Sequence, residues 1–242
     1  MIIIPDVHGR DFWRPVIEKE KDNNEKIIFL GDYVDPYPWE GISRKKSIEG
    51  LRDIIELKKS QPEKIILLLG NHDYQYIEEE SRIRSRYDIV NKNLINKIFL
   101  ENLDLFDLAY LDEKYLYSHS GILKPWVELS KEILGKDPKI ESIPGILNRS
   151  FHKNPQEMDK ILLIVSPYRG GWSRGSGSCI WGDVQEFLYY PEDQYEGLYQ
   201  IFGHTQQEFG PIIEDTFACL DCRKAFRLEN DKIVLFNLEE ND

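Results

Sequence analysis

Apolar residues recur along the first seventy positions in short runs separated by helical periodicity. Ile2, Ile3 and Ile4 form the first run, and Lys26–Leu30 and Lys64–Leu69 form the second and third. Between them, Phe12, Val16 and Ile17 follow a capping Asp11, and Ile48, Leu51, Ile54 and Ile55 share one face of a helix expected over Ser43–Lys59. The pattern predicts β-α-β-α-β, with parallel strands buried between helices. Farther along, a helix is expected over Tyr87–Leu100, a hairpin over Tyr110–Ser118 turning at Asp112-Glu113, and a helix over Trp126–Leu134. Asn154-Pro155-Gln156-Glu157 reads as a helix start running through Met158, Ile161, Leu162 and Val165. Four strands are then expected at Tyr199–Phe202, Phe217–Leu220, Lys224–Leu228 and Ile233–Leu238, forming a second sheet packed on the first.

A length of 242 residues suits one domain with a full core, and neither a linker nor an internal repeat divides it. We expect a single domain over residues 1–242 with a helical and glycine-rich insertion around residues 124–180. The net charge of −12 disfavours a broad nucleic-acid interface. The three cysteines imply no disulfide framework and point to a reducing, cytoplasmic setting, and Cys219-x-x-Cys222 reads as small apolar residues at a strand end. No apolar stretch is long enough to span a membrane, and the first motif starts too early, at Asp6, to leave room for a leader.

The chemistry is concentrated at the ends of these runs. Asp6-Val7-His8-Gly9, Gly31-Asp32-Tyr33-Val34-Asp35 and Gly70-Asn71-His72-Asp73 follow the three parallel strands, at the edge where open α/β sheets bind ligands. Ser118-His119-Ser120-Gly121 and Gly203-His204-Thr205 follow later strands. Asp6 and His8 are two apart in extended chain, so both face one side and together make good ligands for Zn²⁺, Mn²⁺ or Fe. The carboxylate of Asp32 can bridge two cations, Asn71 offers a carbonyl oxygen, and His119 and His204 offer nitrogens. The set divides into Asp6, His8 and shared Asp32 at one metal, and shared Asp32, Asn71, His119 and His204 at the other. Two such cations would hold a hydroxide between them near neutral pH and bind phosphoryl oxygens. His72 reads either as the acid that protonates a leaving group, oriented by Asp35, or as a structural group.

These five motifs resemble those of the calcineurin-like metallophosphoesterases, in particular the phosphoprotein-phosphatase branch with its bacterial and phage relatives. The resemblance runs from Asp6 to Thr205. It implies a four-layer α-β-β-α sandwich of two mixed sheets flanked by helices, a dinuclear centre, and hydrolysis of phosphate esters or anhydrides. It also implies the ligand set above, with His72 as acid and Asp35 as its partner. Segments at Trp181-Gly182-Asp183 and Leu220-Asp221 echo the family more weakly.

Two departures stand out. The family's phosphate-binding arginine normally follows the second Asp of the second motif, whereas Asp35 is followed by Pro36 and Tyr37. Arg169 or Arg174, in the glycine-rich loop Arg169–Ser178, are the candidates to replace it, although that loop also reads as a plain surface connection. The other departure is Gln206, where broader relatives carry a histidine; it places the chain with the phosphoprotein-phosphatase branch. His152 reads as a helix-end histidine, and Trp126, Trp172 and Trp181 as packing residues rather than base-stacking ones. The expected function is hydrolysis of phosphomonoesters, including phosphoserine or phosphothreonine in a protein, with a phosphorylated small molecule, nucleotide or phosphoprotein as partner. A bis-nucleoside polyphosphate hydrolase is the alternative, and a non-catalytic phosphate-binding protein a third reading.

Overall fold

The computed structural model describes residues 1–78, 85–172 and 175–238. Strands β1 (Ile2–Ile4), β2 (Ile27–Phe29), β3 (Ile65–Leu68) and β4 (Phe106–Asp107) are parallel neighbours in that order. The register pairs Ile2 with Ile27 and Ile27 with Ile65, so the three strands end level with one another. Helix α1 (Arg14–Lys19) links β1 to β2, and α2 (Arg44–Ser60) links β2 to β3. The Ser43 hydroxyl caps α2 by accepting from the N–H of Lys46 at 3.1 Å, and Lys58 and Lys59 lie at its carboxyl end, where cations are favoured.

A second sheet runs β5 (Ala109–Asp112), β6 (Tyr115–Ser118), β7 (Tyr199–Phe202), β9 (Phe217–Cys219), β8 (Ile212–Ile213). β6, β7 and β9 are parallel, and β5 and β8 run antiparallel at the edges. The two-residue period of each strand sorts its side chains between layers. Ile2, Ile4, Ile27, Phe29, Ile65 and Leu67 pack outward against Val16, Leu51 and Ile54 of the helices. Ile3, Ile28, Ile66 and Leu68 pack inward against Tyr117, Ile201 and Ala218 of the second sheet. Phe202, Phe217 and Cys219 on the far face of that sheet meet Val184 and Phe187. The result is the expected four-layer sandwich of two mixed sheets between helices. Each fully buried Ile, Leu or Phe contributes about 1.5–3 kcal/mol, and nearly every strand residue of β1, β2 and β3 is one.

The expected helix over Trp126–Leu134 is two, α5 (Lys124–Leu129) and α6 (Lys131–Leu134), divided at Ser130. Before them, α3 (Asn71–Tyr74) follows β3, and α4 (Lys92–Glu101) begins five residues later than the periodicity at Tyr87 implied. Helix α7 (Ile143–Lys153) was not expected: Pro144 at its first turn and Gly145 hid its period. The start expected at Asn154 is a 3-10 turn over Pro155–Met158 leading into α8 (Asp159–Leu162), and α9 (Val184–Tyr189) precedes β7. The last two strands, β10 (Phe226–Glu229) and β11 (Lys232–Leu235), do not join the second sheet as expected. They add antiparallel to β1 at the edge of the first sheet, with Ile2 opposite Arg227.

Candidate active site

The turns that follow β1, β2, β3, β6 and β7 meet at one edge of the sandwich. They are stitched to one another by backbone bonds: His8 N–H to the Asp32 carbonyl at 2.6 Å, and Gly203 N–H to the His119 carbonyl at 2.9 Å. His8, Asp32, Asp35 and His204 all adopt left-handed backbone, with φ of 46°, 54°, 60° and 64°. Each such residue costs on the order of 1–3 kcal/mol. That backbone conformation redirects the chain as the strands end. Two glycines are required by the crowding. A Cβ on Gly70 would collide with the Asp32 carboxylate and the His119 ring, and one on Gly203 would collide with the Asp6 carboxylate.

Asp6, His8, Asp32, Asn71, His119 and His204 are all buried and face a common point. Asp32 Oδ2 lies 3.5 Å from Nε2 of both His8 and His119. His119 Nε2 is also 3.1 Å from Asn71 Oδ1 and 3.0 Å from His204 Nδ1. Ligands held about 2.1 Å from one ion, at roughly right to tetrahedral angles, lie roughly 3.0–3.4 Å from each other. The observed separations are of that size. Two groups satisfy it within 4.8 Å, Asp6 with His8 and Asp32, and Asp32 with His119 and His204.

The tautomers agree with a cation-binding role. His8 and His119 point Nδ1 at the carbonyls of Val34 and Leu30, at 2.9 and 2.8 Å. Donating Nδ1–H there leaves the Nε2 lone pair toward the common point, the arrangement seen in metal-bound imidazoles. Burial pushes the His8 imidazole well below its ordinary value, and burial with the nearby Arg169 does the same to His204, so both are neutral. Asp32 is buried, which alone would raise its pKa, but His119, His72 and His8 outweigh this and keep it ionised. Asp6 moves the other way: burial raises it, the Asp32 charge adds to the rise, and His119 offsets part of it. Two buried carboxylates this close are costly without a cation between them. His204 Nε2 and Asp221 Oδ1 are buried with no hydrogen-bond partner among the described residues.

His72 stands beside this cluster. Its backbone N–H donates to Asp32 Oδ1 at 2.8 Å, which aims Oδ2 at the common point. Its Nδ1 meets Asp35 Oδ2 at 2.9 Å, and Asp35 also accepts from the Tyr76 hydroxyl at 2.6 Å and from the Gln75 carboxamide. Burial raises the Asp35 pKa while the His72 and Tyr76 bonds pull it back.

Arg86 was missed by sequence reasoning. Its guanidinium lies 3.7 Å over the Tyr37 ring, donates from Nη1 to the Asp35 carbonyl at 2.7 Å, and donates from Nη2 to His72 Nε2 at 2.8 Å. Among the described residues no carboxylate pairs with it. The segment from residue 81 to residue 87 alternates arginines at 82, 84 and 86, and no spacing rule distinguishes one of them. Arg169 sits on the other side, donating to the His204 carbonyl at 3.2 Å and the Thr205 hydroxyl at 2.9 Å while pairing with Asp183 at 3.0 Å. Arg174 lies outside the described residues. His152 bonds the Phe106 carbonyl at the end of α7, and Trp126 is buried with its indole N–H on the Ile161 carbonyl. The three cysteines are free thiols, Cys219 closing β9 as expected.

Residues 1–208 match the calcineurin-like phosphoesterase family, and the chain belongs to it. It is therefore a metal-dependent phosphoester hydrolase. A solved structure of a cold-active protein tyrosine phosphatase resembles it with a TM-score of 0.64 and 17% identity, over 97% of this chain and 75% of that one. A protein serine/threonine phosphatase from Saccharomyces cerevisiae resembles it with a TM-score of 0.57 and 14% identity, over 100% of this chain and 80% of the other. At these identities the likeness is one of fold. No helix among the described residues is long and apolar enough to cross a membrane.

Proposed function

We propose that this chain is a dinuclear phosphomonoesterase in which Asp6, His8 and Asp32 hold one divalent ion and Asp32, Asn71, His119 and His204 hold the second. The observation that carries it is the position of Asp32 Oδ2, equidistant at 3.5 Å from an imidazole of each group. The donors are two carboxylates, one carboxamide and three imidazoles, which suits Mn, Fe or Zn. Two bound ions would supply a water acidic enough to attack near neutral pH and would neutralise charge on the phosphoryl group.

The remaining residues handle the substrate. Arg86, fixed on the Tyr37 ring and the Asp35 carbonyl, is the guanidinium that grips phosphoryl oxygens in place of the arginine absent after Asp35. His72 donates its proton to the leaving oxygen, with Asp35 orienting the ring. In the structure Nε2 of His72 accepts from Arg86. Arg86 must therefore pass that hydrogen bond to a substrate oxygen before His72 can act as a donor from the same nitrogen, which links substrate grip to the acid. Arg169 holds the turn carrying His204 rather than the phosphate. The two protein phosphatases of like fold make phosphoserine, phosphothreonine and phosphotyrosine peptides natural first substrates to assay.

The test is metal titration of the full chain combined with turnover of p-nitrophenyl phosphate. Two ions per chain with metal-dependent turnover are expected, and Asp32→Asn should lose both. An Asp32→Asn protein that keeps two ions and parental activity would sink the reading.

A further inference from the structure

Tyr76 is buried behind the proposed acid, and its hydroxyl has a partner on each side. It accepts the Asp88 N–H at 2.7 Å and lies 2.6 Å from Asp35 Oδ1. A backbone N–H can only donate, so the hydroxyl turns its own proton to the Asp35 carboxylate. His72 and Tyr76 are four apart along the turn that opens at Asn71, and they take opposite oxygens of that carboxylate: His72 Nδ1 meets Oδ2 at 2.9 Å. A carboxylate held at both oxygens is not free to rotate about its last bond. The Asp35 oxygen that faces His72 is thereby fixed from the far side of the carboxylate.

The same residue backs the guanidinium. Tyr87 stacks on Tyr76 with ring centroids 4.7 Å apart and planes 17° from parallel. The turn through Arg86, Tyr87 and Asp88 is therefore held on Tyr76 at two points, by the ring of its second residue and the N–H of its third. Arg86, its first residue, has left-handed backbone at φ 62° and donates to the Asp35 carbonyl at 2.7 Å and to His72 Nε2 at 2.8 Å. The support is itself anchored. The Tyr76 carbonyl accepts from the Asn96 carboxamide of α4 at 2.6 Å. The Asp88 carboxylate pairs with Arg44 and accepts the Asn91 N–H at 3.0 Å. Asp35, His72 and Arg86 thus share one buried support.

We infer that Tyr76 is a positioning residue that keeps the leaving-group acid and the phosphate-gripping arginine in register, its hydroxyl acting on His72 through Asp35 and its ring acting on Arg86 through Tyr87. The inference rests on the roles given to His72 and Arg86 above and adds to them a residue that acts without touching the substrate. The two parts of the side chain lead to separate kinetic defects. Loss of the hydroxyl misaligns the acid, which matters when the departing oxygen needs a proton. Loss of the ring loosens the arginine, which matters whatever the leaving group is. Phenylalanine removes the first and keeps the second.

The experiment measures kcat and KM for β-glycerophosphate and p-nitrophenyl phosphate on the manganese-loaded full chain, in the parent, Tyr76→Phe, Tyr76→Leu, Tyr87→Leu, Asp35→Asn and the double variant Tyr76→Phe/Asp35→Asn. A hydrogen bond to a charged group corresponds to roughly a tenfold to hundredfold effect. Tyr76→Phe should therefore lower kcat for β-glycerophosphate, relative to that for p-nitrophenyl phosphate, by at least about tenfold. The double variant should be no slower than Asp35→Asn, because the hydroxyl acts through that carboxylate. Tyr76→Leu should add a rise in KM for both esters, of about twofold to tenfold for a lost aromatic stack, with weaker inhibition by inorganic phosphate. Tyr87→Leu, which removes the stack from the other side, should raise KM in the same way. Equal losses on the two esters in Tyr76→Phe, no loss, or a double variant slower than Asp35→Asn overturns the link to His72 and leaves the phosphoesterase intact. A parental KM in Tyr87→Leu overturns the link to Arg86. If the parent hydrolyses neither ester, the phosphoesterase reading fails, and imidazole nitrogen NMR decides the positioning separately: His72 signals that move in Tyr76→Phe uphold it, and unmoved signals remove it.

Discussion

The carboxylate of Asp73 holds Asp32 in place through the backbone. Asp73 Oδ2 accepts the Asp32 N–H at 2.6 Å and the Gly70 N–H at 2.9 Å, and Oδ1 accepts the Tyr33 N–H at 2.9 Å. One side chain in α3, just past the third strand, thereby fixes the left-handed turn after the second. The last residue of Gly-Asn-His-Asp is thus a brace for the residue shared by both proposed ions. Asp73→Ala leaves three buried N–H groups without an acceptor, each worth about 1–3 kcal/mol. We expect the melting temperature to fall by about 5–15 °C and ion affinity to drop with it. A variant that melts and binds metal like the parent would show that the brace is dispensable.

His72 and Asp35 lead to a leaving-group test. A general acid matters most when the departing oxygen is strongly basic, and contributes about 10²–10⁴-fold there. His72→Ala should lower kcat by about that factor on an alkyl phosphate and by much less on p-nitrophenyl phosphate, whose leaving group departs without a proton. Asp35→Asn should show the same selectivity with a smaller amplitude. Metal content should stay at the parental level in both. An equal loss on the two substrates would assign His72 a structural role instead.

The strand-end motifs were legible because a buried parallel strand leaves a plain signature, an apolar run stopped by Gly or Asp, and three such runs in succession fix which edge their ends share. The six proposed ligands do converge there. What was not legible depended on pairing at a distance. β10 and β11 carry the same alternation as the strands of the second sheet, and only the pairing of Arg227 and Phe226 with Ile2 and Ile3 of β1 assigns them to the first. The first turn of helix α7 contains Pro144 and Gly145, residues that read locally as a turn. Arg86 reaches the site through a left-handed residue, at φ 62°, which no pattern of polarity encodes.

Arg86 and Arg169 should separate cleanly in kinetics. Arg86 touches Tyr37, Asp35 and His72, whereas Arg169 is committed to Asp183, Thr205 and the His204 carbonyl. Arg86→Ala should raise KM for a phosphoester by about tenfold or more and weaken inhibition by inorganic phosphate in parallel, with ion stoichiometry unchanged. Arg169→Ala should instead lower thermal stability and the affinity of the ion held by His204. Finding the phosphate defect in Arg169→Ala and not in Arg86→Ala would exchange their roles.

Acidification should strip the two proposed ions in a fixed order. The site of Asp6, His8 and Asp32 contains one carboxyl, Asp6, whose pKa is raised by burial and by Asp32. A raised carboxyl takes up its proton earlier as pH falls, and that proton competes with the ion. The site of Asp32, Asn71, His119 and His204 has no carboxyl raised in this way: Asp32 is held below the ordinary carboxylate range by the imidazoles around it, and burial and Arg169 depress His204. Its affinity should therefore persist to lower pH. Equilibrium dialysis against manganese from pH 7.5 downward should show occupancy falling from two to one before it falls to zero. Asp6→Asn should abolish the early step while leaving the later one in place. Loss of both ions in a single step in the parent, or a first step that survives Asp6→Asn, would contradict this division of the site.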